Sequence, residues 1–175
     1  MPRKNSAHEI VVESITEALL LLMEKKPLKD ISISELCAKA GVVRMSFYRN
    51  FSSPEDILVK HFEMVIDKWW GEITSSPLIG DSSIFWNSLF EALKKENRFI
   101  DLLYTHNLAH IVRDRIFSSV KVSDHATDSY VRALIAGMIY GVIDEWILRG
   151  MRDTPNVIDL SRLITFAREN ALIIN

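Results

Sequence analysis

The stretch ISISELCAKAGVVRMSFYRNF, residues 31–51, decides the fold. Ile33, Leu36, Cys37 and Ala40 recur at helical spacing and form one apolar face. Ser32 stands three residues before Glu35, the pattern of a helix N-terminus. The serine hydroxyl accepts from an orphan backbone N–H, and the acid reaches back and favours the positive end of the helix dipole. Gly41 follows the last apolar position and can take the left-handed conformation that turns a chain sharply after a helix. Val42 and Phe47 then fall where a second short helix, residues 44–49, packs back on the first, residues 33–39. This is a helix-turn-helix, whose second helix can lie in a major groove.

What the second helix leaves exposed is chemically specific. Arg44, Met45, Ser46, Tyr48, Arg49 and Asn50 offer guanidinium groups for guanine edges or phosphates, with hydroxyl and amide partners for either. Ser32 and Ser34 sit at a helix N-terminus, where backbone N–H groups favour a phosphate. Arg3 and Lys4 make a short basic arm able to reach the DNA backbone or a minor groove.

Outward from this segment, helical signals dominate and no period-2 run competes. Ser6/Glu9 and Ser53/Asp56 repeat the capping pattern, the latter with Pro54 at the favoured first helical position. A first helix is expected over residues 7–25, with Val11, Ile15, Ala18, Leu19 and Leu22 on one face, ended by Pro27. A fourth begins after Ser53 and passes Trp70. Beyond Gly80, helices are expected over residues 83–96, 99–118, 124–149 and from Pro155 to about residue 173. The division between head and body falls near residues 50–60, at the fourth helix.

The chain has 175 residues, 48% hydrophobic and 25% charged, a globular rather than a disordered balance. The net charge of −2 excludes a non-specific polycation but allows a small local contact surface. A single cysteine, Cys37, excludes an intrachain disulfide. The apolar runs 18–23 and 133–143 fall well under the roughly 20 residues of a membrane span. A cytoplasmic, soluble protein is expected.

At residues 31–58 the chain resembles the Tet repressor (TetR) family of bacterial transcription regulators. That family's signature has an Ile/Val-Ser/Thr-Val start, an Ala-Gly-Val turn, an aromatic pair, and a Phe before the next helix. The matching residues are Ile31-Ser32-Ile33, Ala40-Gly41-Val42, Phe47-Tyr48 and Phe51, followed by Glu55, Asp56, Ile57 and Leu58. The match covers residues 10–62; the remainder resembles the family in architecture. Two positions depart from the pattern: Val43 stands where the family starts its recognition helix with Ser or Thr, and Pro54 where it carries a phosphate-reaching Lys.

The resemblance implies an all-α protein of about nine helices. Residues 1–52 would be the helix-turn-helix head and 53–175 a helical effector-binding and dimerisation body. It implies a non-enzymatic repressor without cofactor, bound as a homodimer to a palindromic operator and released by a small molecule. Val43 and Pro54 favour a second reading, a co-regulator that has lost DNA binding and acts through protein partners.

The family's effector pocket lies among the middle helices, where Trp69, Trp86, Phe90, Leu103 and Tyr104 are the candidate lining, joined by His106, His110 and Met138. His106 and His110, with Asp114 one turn on, would share a face of the 99–118 helix as metal ligands. The segment lacks the Glu of a His-Glu-x-x-His motif, so no metal is expected, and a small metal-binding enzyme is the third reading. No Ser/His/Asp or Gly-rich phosphate pattern supports catalysis.

Ala133, Gly137 and Gly141 form a stripe of small residues that lets another helix approach closely. Ile135, Met138, Ile139, Ile143 and Trp146 make the same helix apolar nearly all round, so it must be buried on several sides. Pairing with the last helix, through Leu160, Leu163, Ile164 and Ala167, and with the symmetry mate would give a four-helix dimer interface that includes Trp146.

Overall fold

A computed structural model describes residues 7–75, 82–120 and 126–153. Among these the chain is all-helical: α1 (Ala7–Met23), a 3-10 turn (Leu28–Asp30), α2 (Ile33–Ala40), α3 (Arg44–Asn50), α4 (Pro54–Thr74), α5 (Ser82–Lys95), α6 (Asn97–Thr105), α7 (His110–Ser119) and α8 (Ala126–Leu148). The basic arm, the Ser6 cap and the final helix, with Leu160, Leu163, Ile164 and Ala167, lie outside the described residues.

α1 stops at Met23, two residues earlier than its apolar periodicity predicts. Pro27 disfavours helical geometry at the residue before it and brings no N–H, so the chain closes through Lys25 and Lys26 N–H bonds to the Leu22 carbonyl and re-forms as a 3-10 turn. Ile15, Leu19, Leu36 and Phe47 are wholly buried and join α1, α2 and α3 into one apolar cluster.

The helix expected over residues 99–118 is two helices. α6 ends at Thr105 with His106 as its cap, and Asn107 takes φ 59. The Leu108 N–H then reaches the Leu103 carbonyl (2.7 Å) and the Asn107 N–H the Tyr104 carbonyl (3.1 Å), a Schellman closure with a leucine pair across it. Gly41 closes α2 in the same way, with φ 68 and the Val42 N–H bonded to the Cys37 carbonyl at 3.0 Å. Asn serves at residue 107 because its short amide tolerates the left-handed region better than most side chains.

α4 is the element shared by both ends of the molecule. It packs on α1, α5 and α7, while α8 lies against α7. Ile57, Leu58 and Phe62 are buried in its first half, Trp69 and Ile73 in its second. A second tie runs from α1 to α6: the Arg98 guanidinium bonds Glu17 (2.8 Å) and Glu24 (2.7 Å). None of the helices, among the described residues, is long and apolar enough to cross a membrane.

Candidate functional site

Ser32 caps α2 by accepting from the Glu35 N–H at 3.2 Å. The Glu35 carboxylate does not close the reciprocal bond expected of a capping box; it binds Lys26 at 2.6 Å instead. Val43 precedes α3 without any side-chain cap, and its carbonyl receives the Ser46 N–H at 2.9 Å. α3 is therefore held by packing rather than by a cap. Phe47 is its buried anchor, edge-to-face with Tyr48 (centroids 5.3 Å apart) and tilted against Phe51 (6.0 Å).

With Phe47 inward, Arg44, Met45, Tyr48 and Arg49 are exposed and Ser46 and Asn50 half-exposed. Val43 is 70% exposed and Met45 69%, apolar surface that the head itself does not cover. Ser32 and Ser34 are exposed at the start of α2, and Ser34 accepts a bond from the Arg44 guanidinium, so the two helices share one surface. Asn50 turns its amide back onto the Ser46 carbonyl at 2.7 Å. Tyr48 and Arg49 make no side-chain hydrogen bond or ion pair among the described residues.

A charge pattern sharpens this surface. Between residues 36 and 52 the charged side chains are Lys39, Arg44 and Arg49, with no carboxylate among them. A protein of net charge −2 thus carries a wholly cationic segment where its short helix is exposed. Such a segment attracts a polyanion even though the whole chain is weakly acidic. This local asymmetry was present in the sequence but is hidden by the whole-chain charge.

Pro54 takes the first position of α4, and Ser53 caps it by accepting from the Asp56 N–H at 3.0 Å. Asp56 reaches back to the Ser52 N–H at 2.8 Å. Lys60, one turn on, pairs with Asp56 (3.0 Å), donates to the Asn50 carbonyl (2.8 Å) and lies over the Phe51 ring (5.5 Å). Burial pushes the Asp56 carboxyl upward, but the Ser52 and Lys60 bonds outweigh it and hold the group below the usual carboxylate range.

α4, α5, α7 and α8 line a partly open cavity of about 710 Å³. Trp69, Phe85 and Phe62 form an aromatic wall, and Val112, Ile116 and Ile143 an aliphatic one. Arg115 and Asp67, paired at 2.6 Å, are the charged groups on it. The size and apolar lining are those of a small-molecule site.

Among the solved structures that resemble the chain are two transcription regulators. The dihydroxyacetone kinase operon activator DhaS is 17% identical, with a TM-score of 0.50 covering 91% of this chain and 95% of that one. The fatty acid degradation regulator FadR from Bacillus halodurans is 16% identical, with a TM-score of 0.53 covering 89% and 92%. No family model matches the sequence, and no curated protein matches it. The chain has the all-α fold of these two regulators.

Within that fold the candidate pocket residues scatter. Trp69 lines the cavity. Trp86, Phe90 and Leu103 are buried in the core instead, where the Phe90 ring lies tilted between Trp86 (5.8 Å) and Trp146 (4.5 Å). Tyr104 donates to Asp144 at 2.6 Å, and Tyr140 donates to the same carboxylate oxygen at 2.9 Å. Burial, then the Asp144 carboxylate, push the Tyr104 phenol far above its ordinary range. Met138 is exposed on α8.

The break at Asn107 also separates the two histidines expected on one helical face. His106 donates Nε2–H to the Met23 carbonyl (2.9 Å), while His110 Nε2 lies 3.2 Å from Glu55. Asp114 pairs with Arg113 (3.0 Å). Among the described residues no three His, Cys, Asp or Glu side chains gather as metal ligands.

α8 divides its apolar surface between two faces. Ala136, Ile143, Trp146 and Ile147 are buried in the core; Tyr130, Leu134, Ile135 and Met138 are exposed. Ala133 and Gly141 are exposed with them and Gly137 is half-buried. Trp146, expected in a subunit interface, is 3% exposed within this one chain and donates its indole N–H to the Asp153 carbonyl at 3.0 Å.

Proposed function

We propose that the protein is a DNA-binding transcription regulator that places α3 in the major groove. The observation that carries this reading is the exposed, cationic and carboxylate-free face of α3, with Arg44, Tyr48 and Arg49 free of the core. Ser32 and Ser34 border that face and suit phosphate contacts from α2. The fold shared with two proteins described as an operon activator and a degradation regulator supports it.

The active species in this reading is a homodimer, joined through the exposed face of α8 around Leu134 and Met138 and reading two half-sites of a palindromic operator. A small molecule in the body cavity then shifts the protein between two head spacings, and in doing so releases the operator. α4 carries the shift, because it packs on α1 at one end and lines the cavity at the other.

A second reading, a co-regulator acting through protein partners, is favoured by two observations. Val43 gives α3 no cap, and Lys60 is spent on Asn50, Asp56 and Phe51 rather than free for a phosphate. Fluorescence anisotropy with labelled DNA from upstream of the protein's own gene separates the readings. A regulator binds this fragment more tightly than a scrambled one, and a co-regulator binds neither.

A further inference from the structure

The charged pair on the cavity wall is asymmetric. The Arg115 side chain is 20% exposed and that of Asp67 70% exposed, although the two are in direct contact. Arg115 has five N–H donors, and a single bond, from Nη2 to Asp67, engages them among the described residues. Several other polar groups around the cavity are satisfied locally, and Trp70, which also lines it and carries an indole N–H, is half exposed to water. Trp69 donates its indole N–H to Ser88 (3.0 Å), and Ser118 and Ser119 donate to the carbonyls of Arg115 (2.9 Å) and Ile116 (2.8 Å). The guanidinium is thus the charged group with donors to spare, set against aromatic and aliphatic walls.

A cation placed beside apolar surface needs an anion, and a water-exposed carboxylate meets that need weakly. We infer that the cavity takes an apolar organic acid, its carboxylate forming a two-pronged contact with Arg115 and its hydrocarbon body lying between Trp69, Phe85 and Ile143. This deepens the effector reading above and rests on it for its regulatory meaning, though not for the binding itself. A guanidinium matches a carboxylate in a planar, bidentate way that a neutral amide cannot reproduce. An amine is the opposite case: it would have to use Asp67, which is mostly in water and attracts it little.

The test is isothermal calorimetry on the full-length protein with decanoate and 2-naphthoate, each beside its primary amide, and with decylamine. At least one acid is expected to bind ten-fold or more tightly than its amide. Arg115→Gln removes that preference. Asp67→Asn, at a largely exposed position where folding is undisturbed, strengthens acid binding several-fold by removing the competing carboxylate. Equal binding of acid and amide, tighter binding of the amine, absence of acid binding, or weaker acid binding by Asp67→Asn overturns the inference. Anisotropy with operator DNA, run alongside, keeps the two readings apart. DNA binding by a protein that takes no acid removes the inference alone; acid binding that leaves DNA affinity unchanged removes the effector role alone.

Discussion

Lys60 donates to the Asn50 carbonyl at 2.8 Å, so the last turn of α3 is tied to the second turn of α4 by one side chain. Because Val43 gives α3 no cap, this bond, the Phe47 anchor and the Phe51 contact set the angle of the short helix. The same α4 reaches the body cavity with Phe62, Asp67 and Trp69. In the proposed mechanism a displacement of α4 moves the exposed face of α3 with it.

Lys60→Met is expected to destabilise the protein by about 0.5–1 kcal/mol, the range of a half-exposed ion pair plus one bond to a carbonyl. Operator affinity should fall by more than the same measure predicts, because α3 loses its fixed angle. Urea unfolding and anisotropy on the one variant check both parts. A loss of affinity no larger than the loss of stability would show that Lys60 does not position α3.

Gly41→Ala meets open space, since a Cβ there has no heavy atom within 4 Å. The cost is conformational: an L-residue held at φ 68 costs roughly 1–2 kcal/mol. Gly41→Asn should recover part of it, as asparagine already does at residue 107, where φ is 59. Urea midpoints of the two variants, with unchanged slopes, give the comparison.

Asp56 is held below its ordinary range in the folded protein. Its contribution to stability is therefore fully present above the unfolded value of about 3.9 and is lost as pH falls through the lower folded value. Glu96 behaves alike, held down first by the bond to His61. Asp56→Asn should be less stable than the parent at pH 7, and the gap should narrow in the acid below pH 4. Thermal melts across pH 2–7 measure it; a gap that widens in acid contradicts the assignment.

Trp146→Ala and Met138→Glu separate the two faces of α8. The first empties a core site against Phe90 and should cost about 3–5 kcal/mol. The second leaves the core of the single chain intact, so any fall in its melt should come from dissociation and depend on protein concentration. Sedimentation of Met138→Glu should show a shift toward monomer. An unchanged mass would remove this face from the dimer contact.

The sequence was clearest where several local rules coincide. At residues 31–51 the Ser32 cap, the Gly41 turn and the Leu36/Phe47 face agree independently, and the structure reproduces them within a residue. Over residues 99–118 apolar periodicity runs unbroken across a turn and so predicts one helix where there are two. The signal there was His106-Asn107-Leu108, a left-handed residue followed by a leucine that closes on Leu103. α8 was undecidable for a different reason: apolar on every side, it carries no periodicity to say which face turns inward. Of the cavity, Trp69 was legible as an aromatic, whereas Arg115 and Asp67 are ordinary surface residues in sequence and meet only through the packing of α7 on α4.

The central claim is that α3 reads DNA, and a salt titration of binding to the upstream fragment tests it most directly. The account predicts tighter binding to that fragment than to its scrambled counterpart. The slope of log affinity against log salt should lessen by about one for Arg49→Ala if Arg49 meets a phosphate. Arg44→Ala should lose about 1–3 kcal/mol on the specific fragment and much less on the scrambled one. Equal binding to both fragments, or Arg44→Ala and Arg49→Ala variants that bind like the parent, would contradict it.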